Sequence, residues 1–179
     1  GPMDIAITTI GGSTYAVVSS NKDNGIEIID ISDPTNPTSV GRVADGTDTD
    51  VCTVANEEKC LDAANGNAIT TIGGSTYVVV ASNEDDGIEI IDISDPTNPT
   101  SVGRVVDGTD TDVCTVANGE KCLDGAREVA IYTTSGSTYA VVAATDDDGI
   151  EIIDISDPTN PTSVGRVVDG TDTDVCTVA

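Results

Sequence analysis

A long internal repeat constrains the fold of this chain more than any other feature. The string GIEIIDISDPTNPTSVGRV begins three times with a period of 62 residues, at Gly25, Gly87 and Gly149. The match between Asp85–Ala117 and Asp147–Ala179 is residue for residue, and over Gly25–Ala55 the first copy differs from the second only at Ala44. Self-similarity at such a period indicates stacked supersecondary units, each of which buries its apolar faces against its neighbours.

One repeat has the pattern of four short strands and a long connection. In the first copy the expected strands are Ala6–Ile10, Thr14–Ser19, Gly25–Ile31 and Thr38–Val43. They are rich in Ile, Val and Thr, which favour strands, and the chain has no Phe and no Trp. Asp45–Ala64 lacks apolar periodicity and forms the connection.

Four-stranded units of this kind predict an all-β fold, a β-propeller with three four-stranded blades per chain. Solenoid repeats are typically shorter, which disfavours that alternative. We place blade 1 at residues 4–64, blade 2 at 65–126 and blade 3 at 127–179, each range including the long acidic loop with its cysteines, which is truncated in blade 3. Gly1–Met3 resembles the remnant that a protease leaves at an engineered end.

The charge excludes several classes of function. Seven Lys and Arg face 32 Asp and Glu, the net charge is −25, and the chain has no His. Nucleic acids and anionic lipids need cationic partners, so we expect neither to bind. No segment approaches the roughly 20 apolar residues of a membrane-spanning helix. Catalysis by a histidine base is excluded, and the sequence offers no catalytic residues, so we expect no enzyme.

The cysteines follow the repeat. They lie at Cys52, Cys60, Cys114, Cys122 and Cys176. Without His or a C-x2-C spacing, zinc binding is disfavoured. We predict local disulfides Cys52–Cys60 and Cys114–Cys122, with Cys176 unpaired or joined to another chain. Disulfides form in oxidising compartments, which predicts an extracellular or cell-surface location.

The run YAVVSS followed by GIEIIDISDPTNPTSVGR resembles the LVIVD repeat of extracellular bacterial and archaeal proteins. The resemblance implies a propeller blade in a secreted or surface protein, and it supplies no catalytic residues. The insertion DGTDTDVCTVANEEKCLDAA, of about 20 residues, departs from the shorter repeats of the family.

Acidic residues gather on one expected face of the propeller. The long connection emerges on the same face as the turn between the second and third strands. Calcium takes carboxylate and carbonyl oxygens from flexible loops, which makes this face a candidate calcium site. The alternative is a solvated acidic rim with Asx-turns. The candidate ligands are Asp45, Asp48, Asp50, Asp107, Asp110, Asp112, Asp169, Asp172 and Asp174. No other cofactor is expected.

Two further sets of charged residues have structural interpretations. Asp30, Asp92 and Asp154 stand in aliphatic strands, where a buried carboxylate needs hydrogen bonds, and we expect them to hold the amides of the DPTNP turn. If Ile31 faces Thr38, Glu27 faces Arg42, and the cross-strand ion pair repeats as Glu89–Arg104 and Glu151–Arg166. Such a pair contributes a few tenths of a kcal/mol if it is exposed.

These observations predict a non-enzymatic structural or binding module, extracellular or engineered. The alternative is a calcium-dependent adhesion or carbohydrate-binding propeller that uses the acidic face. Three blades are too few to close a ring, since propellers typically have about four to eight. The near-identical repeats make the two ends of the chain complementary. We therefore expect the partner to be a second copy, in a head-to-tail homodimer that closes a six-bladed ring. The sequence names no ligand.

Overall fold

The computed structural model describes residues 1–45, 59–107 and 121–168. These residues form three separate four-stranded antiparallel sheets, and they contain no helix. The expected all-β architecture of three four-stranded blades is confirmed. The strands are β1 (Pro2–Ile10), β2 (Ser13–Ser20), β3 (Gly25–Asp30), β4 (Thr38–Ala44), β5 (Ala64–Ile72), β6 (Ser75–Ser82), β7 (Gly87–Asp92), β8 (Thr100–Val106), β9 (Ala126–Thr134), β10 (Ser137–Ala144), β11 (Gly149–Asp154) and β12 (Thr162–Val168).

Each sheet is a simple up-and-down meander, because its strands are neighbours in chain order. The first strands of the three sheets lie side by side, β1 against β5 and β5 against β9. The sheets are therefore stacked as the blades of a propeller arc, with β1, β5 and β9 as the innermost strands.

The strand bounds differ slightly from the expected blade limits. β1 begins at Pro2, which pairs with Ser20, so Pro2 and Met3 belong to the innermost strand of blade 1. β5 begins at Ala64 and β9 at Ala126, one residue before the predicted starts of blades 2 and 3.

The pairing of the outer two strands contains a bulge. Glu27 lies opposite Arg42, as predicted, but Asp30 rather than Ile31 lies opposite Thr38. The assumed pairing of Ile31 with Thr38 is wrong, because the register shifts between Ile28 and Ile29. The same irregularity recurs in blades 2 and 3.

The core consists of two seams between blades. In the first seam, Val17 and Ile28 of blade 1 pack with Val78 and Ile91 of blade 2. The second seam joins blades 2 and 3, and in it Ile90 of blade 2 occupies the place that Ile28 has in the first. Blade 2 therefore buries both of its faces, which explains why its strands are continuous apolar runs.

Candidate interaction site at the blade seams

Two short segments connect neighbouring blades and are here called straps: strap 1 is Lys59–Asp62 and strap 2 is Lys121–Asp124. Each strap contacts the turn between the second and third strands of the blade that follows it. The amide of Asp62 donates to Oδ2 of Asp85 at 2.7 Å, and the amide of Asp124 donates to Oδ2 of Asp147 at 2.9 Å. The connection and the acidic turn thus lie on one face, as the sequence predicts.

The centre of each strap is bound by a buried glutamate. The amide of Cys60 donates to Oε2 of Glu89 at 3.0 Å, and the carbonyl of Cys60 accepts from Oγ of Ser82 at 2.8 Å. In the third blade, the amide of Cys122 donates to Oε2 of Glu151 at 2.9 Å. A carboxylate that receives a backbone amide forms a charge-assisted hydrogen bond, which orients the strap.

The predicted cross-strand ion pairs form in two blades. Nε of Arg104 lies 3.4 Å from Oε2 of Glu89, and Nε of Arg166 lies 3.6 Å from Oε2 of Glu151. The side chains of both glutamates are 0 % exposed. A strap lies over each glutamate, so the energy of a few tenths of a kcal/mol for an exposed pair does not apply here. Removing one partner of a buried pair leaves the other without compensation.

Burial changes the acidity of Glu89. Loss of solvent raises the pKa of this carboxyl to about 7, against the opposing influence of the Cys60 amide and Arg104. Asp45 raises the pKa further and Lys59 lowers it. Glu89 thus binds a proton more readily in the folded protein than in the unfolded chain.

The blade before a strap also holds it. Oδ1 and Oδ2 of Asp107, at the end of blade 2, accept the amides of Lys121 and Leu123 at 3.1 Å and 3.3 Å. Burial raises the pKa of Asp107 to about 6. The amide of Gly125, directly after strap 2, donates to Oδ1 of Asp86 at 3.0 Å. Strap 2 is therefore bound by both blades of its seam.

The candidate calcium ligands are only partly within the described residues. Asp45 and Asp107 are described, and Asp48, Asp50, Asp110, Asp112, Asp169, Asp172 and Asp174 lie outside. Both carboxylate oxygens of Asp107 accept strap amides, so this residue acts as a backbone clamp. In the part of the chain that the structure describes, no group of three or more acidic or cysteine side chains is arranged to hold a metal ion. Calcium ligation by the remaining residues stays a prediction.

Two of the five cysteines lie within the described residues. Cys60 and Cys122 are 0 % exposed, and neither carries a free thiol. Cys52, Cys114 and Cys176 lie outside the described residues. The predicted pairing therefore stays a prediction.

The DPTNP turn is held by a different aspartate from the one predicted. Oδ1 of Asp33 accepts the amide of Thr35 at 2.9 Å and its hydroxyl at 2.6 Å. Asp30 instead accepts the amide of Ser32 at 2.8 Å. The assignment of Asp30, and with it of Asp92 and Asp154, to the Thr35 and Asn36 amides is wrong, because each binds the serine two residues on. Two hydrogen bonds from Ser32 lower the pKa of the solvent-facing Asp30 carboxyl. The bond from the Ser32 side chain has the larger effect, and the bond from its amide has the smaller one.

Blade 1 has the same receptor residues but no strap over them among the described residues. Glu27 and Asp23 are exposed, and Oγ of Ser20 donates to Oδ2 of Asp23 at 2.6 Å. In the described residues the cross-strand ion pair is restricted to blades 2 and 3, so the prediction of a pair between Glu27 and Arg42 is wrong. A cavity of about 410 Å³ lies here, called the notch of blade 1, and its lining includes Ser20, Asp23, Gly25, Ile26, Glu27 and Arg42.

The two outer faces of the arc are apolar and exposed. On blade 1, Ile7 is 66 % exposed. On blade 3, Val167 is 61 % exposed, whereas Val105 at the same position of blade 2 is 4 % exposed. Chemically equal side chains are thus buried inside the seams and exposed at the ends.

A proline and a glycine meet at each seam. Gly41 of blade 1 approaches Pro96 of blade 2 so closely that a Cβ on Gly41 would collide with the Pro96 carbonyl oxygen. Gly103 and Pro158 repeat this contact in the second seam. At the ends of the arc, a Cβ on Gly165 would meet nothing nearer than Ile152 of its own blade, at 3.9 Å. Pro34, which corresponds to Pro96 and Pro158, is exposed, whereas those two are buried.

The sequence profile of the LVIVD repeat matches three times, at residues 12–45, 68–107 and 126–169. These matches cover well over half of the chain and coincide with the three blades. The chain therefore belongs to the LVIVD repeat family. A search of curated proteins finds no match.

Solved structures share the fold at low identity. A functionally unknown protein from Desulfotomaculum acetoxidans DSM 771 is 13 % identical, with a TM-score of 0.61 over 92 % of this chain and 41 % of the other. A protein from Lactobacillus plantarum is 12 % identical, with a TM-score of 0.58 over 89 % of this chain and 41 % of the other.

A third structure, the exo-beta-1,3-galactanase from Phanerochaete chrysosporium with galactose, is 11 % identical, with a TM-score of 0.51 over 93 % of this chain and 38 % of the other. At these identities the likeness shows the fold alone. This chain spans about two fifths of the length of the proteins it resembles. In the described ranges, no helix has the length and apolar character needed to cross a membrane.

Proposed function

We propose that this chain is a non-enzymatic repeat module, extracellular or engineered, that builds a propeller by head-to-tail pairing of two copies. The observation that carries the proposal is the pair of exposed apolar outer faces on an arc of three blades. Each face repeats side chains that are buried in the two seams of the same chain. Large apolar patches on soluble proteins mark interaction sites.

The two outer faces complement each other. The outer face of blade 3 carries Ile150, Ile152 and Val167, at the positions where blade 2 buries Ile88, Ile90 and Val105 in the second seam. The outer face of blade 1 carries Ile7 and Ile29, which correspond to Ile69 and Ile91 in the first seam. A third seam, between two copies, would therefore use side chains that already pack twice within one chain.

The proline and glycine contacts support the same geometry. Pro34 is the exposed counterpart of two buried prolines, and Gly165 is the open counterpart of two crowded glycines. In the paired assembly Pro34 of one copy packs on Gly165 of the next. Only glycine leaves room for a proline turn at that distance from the strand.

The number of blades favours two copies. Two copies contribute six blades, within the usual range of about four to eight, whereas three copies would contribute nine. A head-to-tail contact that repeats and closes gives a symmetric ring.

The absence of catalysis in this proposal rests on the chemistry of the repeats. The chain has no His, and its second and third repeats are identical from Asp85–Ala117 to Asp147–Ala179, which covers the two outer strands and the loop. An active site needs different groups in defined positions, and the repeats offer little difference.

Light scattering tests the pairing. We expect a particle of about 36 kDa, twice the 18.1 kDa of the chain. Gly165→Val should return it to about 18 kDa, because the side chain fills the space that Pro34 of the second copy would occupy, whereas a Cβ at this position meets only Ile152 of its own chain, at 3.9 Å. Asn98→Asp, on the exposed turn of blade 2, is the matched control and should leave the dimer intact. A native particle of 18 kDa would refute the pairing. A dimer that persists in Gly165→Val would show that the two copies meet at a different interface.

An oxidising compartment is part of the proposal. Its support is the burial of Cys60 and Cys122 in the straps together with the absence of free thiols at both. Peptide mapping without reductant should recover Cys52–Cys60 and Cys114–Cys122. A link between Cys52 and Cys114 would contradict the local pairing.

A further inference from the structure

We propose that a cavity at the outer edge of blade 2 binds a small carboxylate that also carries hydroxyl groups, the chemistry of a sugar acid. The cavity, here called the rim cavity, has a volume of about 530 Å³, within the usual range for small-molecule sites. Strap 1 contributes Lys59, β8 contributes Ser101 and Arg104, and the turn between β11 and β12 contributes Thr159 and Asn160. Because the cavity lies where blade 3 meets blade 2, the inference does not rest on the pairing of two copies.

The end of the rim cavity formed by strap 1 and β8 offers hydrogen-bond donors that have no partner. Nη1 of Arg104 and Oγ of Ser101 are buried, and neither has a hydrogen-bond partner among the described residues. In the described ranges the ammonium group of Lys59 forms no ion pair. Ammonium and guanidinium groups can only donate. A ligand at this end therefore has to supply acceptors, and a carboxylate supplies two acceptor oxygens that form charge-assisted bonds.

Ser101 differs in its bonding from the serine at the same position of blade 3. There the hydroxyl of Ser163 donates to Oε1 of Glu151. In blade 2, Oγ of Ser101 and Oε1 of Glu89 both lack a partner within the described residues. The hydroxyl of Ser101 is thus available to a ligand, whereas that of Ser163 is used within its own blade.

The other end of the rim cavity has the chemistry to bind hydroxyl groups. Oγ1 of Thr159 donates to Oδ1 of Asp157 at 2.7 Å, which leaves its lone pairs to accept a hydrogen bond from a ligand. Asn160 is exposed, and its side-chain amide can both donate and accept. Val102 and Pro161 also line the cavity and provide an apolar wall for the C–H groups of a sugar ring.

Strap 2 and β12 repeat only the first part of this arrangement. Lys121 has the place in strap 2 that Lys59 has in strap 1. A Cβ on Gly165 of β12 would contact only its own blade. Within the described residues, therefore, no turn faces β12 as Thr159 and Asn160 face β8. Lys121 is for this reason the matched control for Lys59.

The experiment titrates the chain with glucuronate in a calorimeter. Glucose is the neutral counterpart, and sulfate is an anion without a sugar ring. The Gly165→Val background is used because pairing would bring a turn of the second copy to β12 and could add a second site. We expect one glucuronate per chain, bound at least about tenfold more tightly than glucose or sulfate, because only glucuronate satisfies both ends of the cavity.

Lys59→Ala should weaken glucuronate binding at least about tenfold, because the carboxylate loses its ammonium partner. Lys59→Arg, which keeps the charge, should retain most of the affinity, and Lys121→Ala should bind as the parent does. The proposal would be overturned by the absence of saturable binding at about 10 mM glucuronate. It would equally be overturned by equal affinity for glucose or sulfate, or by equal effects of Lys59→Ala and Lys121→Ala. None of these results bears on the dimer, which is tested by the mass of the native particle.

Discussion

Blades 1 and 2 carry the same residues in their third and fourth strands apart from Ala44, yet one blade buries its glutamate and the other exposes it. Glu89 lies under strap 1 and beside Arg104, whereas Glu27 faces solvent. The difference comes from what lies next to each blade. In repeat proteins a residue's environment is set by the neighbouring repeat as much as by its own.

The largest expected effect is the loss of Glu89. Glu89→Ala leaves the Cys60 amide and the Arg104 guanidinium without their acceptor, and we expect it to lower the free energy of unfolding by about 3 kcal/mol. Glu27→Ala removes the identical side chain from an exposed site and should cost less than about 0.5 kcal/mol. Urea denaturation of the two variants on the Gly165→Val background measures both. Equal effects would contradict the assignment of the strap as the cause of burial.

A second comparison uses the glycines of the fourth strands. Gly41→Ala places a methyl group against the Pro96 carbonyl in the first seam, and we expect a loss of about 2 kcal/mol. Gly165→Ala makes only an ordinary contact with Ile152 of its own blade, at 3.9 Å, so the stability of a single chain should change by less than about 0.5 kcal/mol. Urea denaturation of dilute protein, at which single chains are measured, gives the change in the free energy of unfolding for each variant. A large effect of Gly165→Ala in the single chain would show that blade 3 packs differently from blades 1 and 2.

Several of these features could be predicted from the sequence. The 62-residue period and the strand-like runs define three meanders, and the strands found differ from those expected by a few residues at their ends. The strand register that places Glu27 opposite Arg42 was correct, although the ion pair between these two described residues does not form and the assumed pairing of Ile31 with Thr38 was wrong. The bulge lies between Ile28 and Ile29. A register that assumes Ile31 opposite Thr38 therefore misplaces only the residues between the bulge and the turn.

The straps could not be predicted, because their function depends on contacts between repeats. Lys59–Asp62 and Lys121–Asp124 have no apolar periodicity, and a single leucine is their main buried side chain. The one available signal was the repetition of K-C-L-D at both connections, which the interpretation of the cysteines as local disulfides did not use. Identical repeats also conceal that Glu27 and Glu89 differ in burial.

The third prediction concerns pH. Burial raises the pKa of Glu89 to about 7 from an ordinary value of 4.5, so the folded protein binds this proton more tightly than the unfolded chain. The resulting stability is fully present below about pH 4.5 and is lost as the pH rises through 7. We expect the native chain to lose about 2 kcal/mol between pH 5.5 and 8 through Glu89, and Glu89→Gln to lose less. Asp107, with its pKa raised to about 6, acts in the same direction in both proteins.

Glu27→Gln is the control for this measurement. Because Glu27 is exposed and carries no strap in the described residues, its replacement should leave the pH dependence as it is. A native profile that is flat between pH 5.5 and 8, or one that Glu89→Gln does not alter, would contradict burial of this carboxyl.

The smallest effect is expected from calcium. Asp107 uses both carboxylate oxygens to bind the amides of Lys121 and Leu123, and a calcium ion would have to compete with those bonds. We therefore expect millimolar calcium to leave the melting temperature of the native chain unchanged. A site filled at a hundredfold excess over its dissociation constant would instead add about 2.7 kcal/mol. Magnesium is the control, because its rigid octahedral coordination suits flexible aspartate loops poorly.

A melting temperature that rises with calcium alone, and falls again with a chelator, would contradict this expectation. It would favour a calcium-dependent adhesion or carbohydrate-binding module. The variant Asp107→Asn would then show whether Asp107 contributes a calcium ligand.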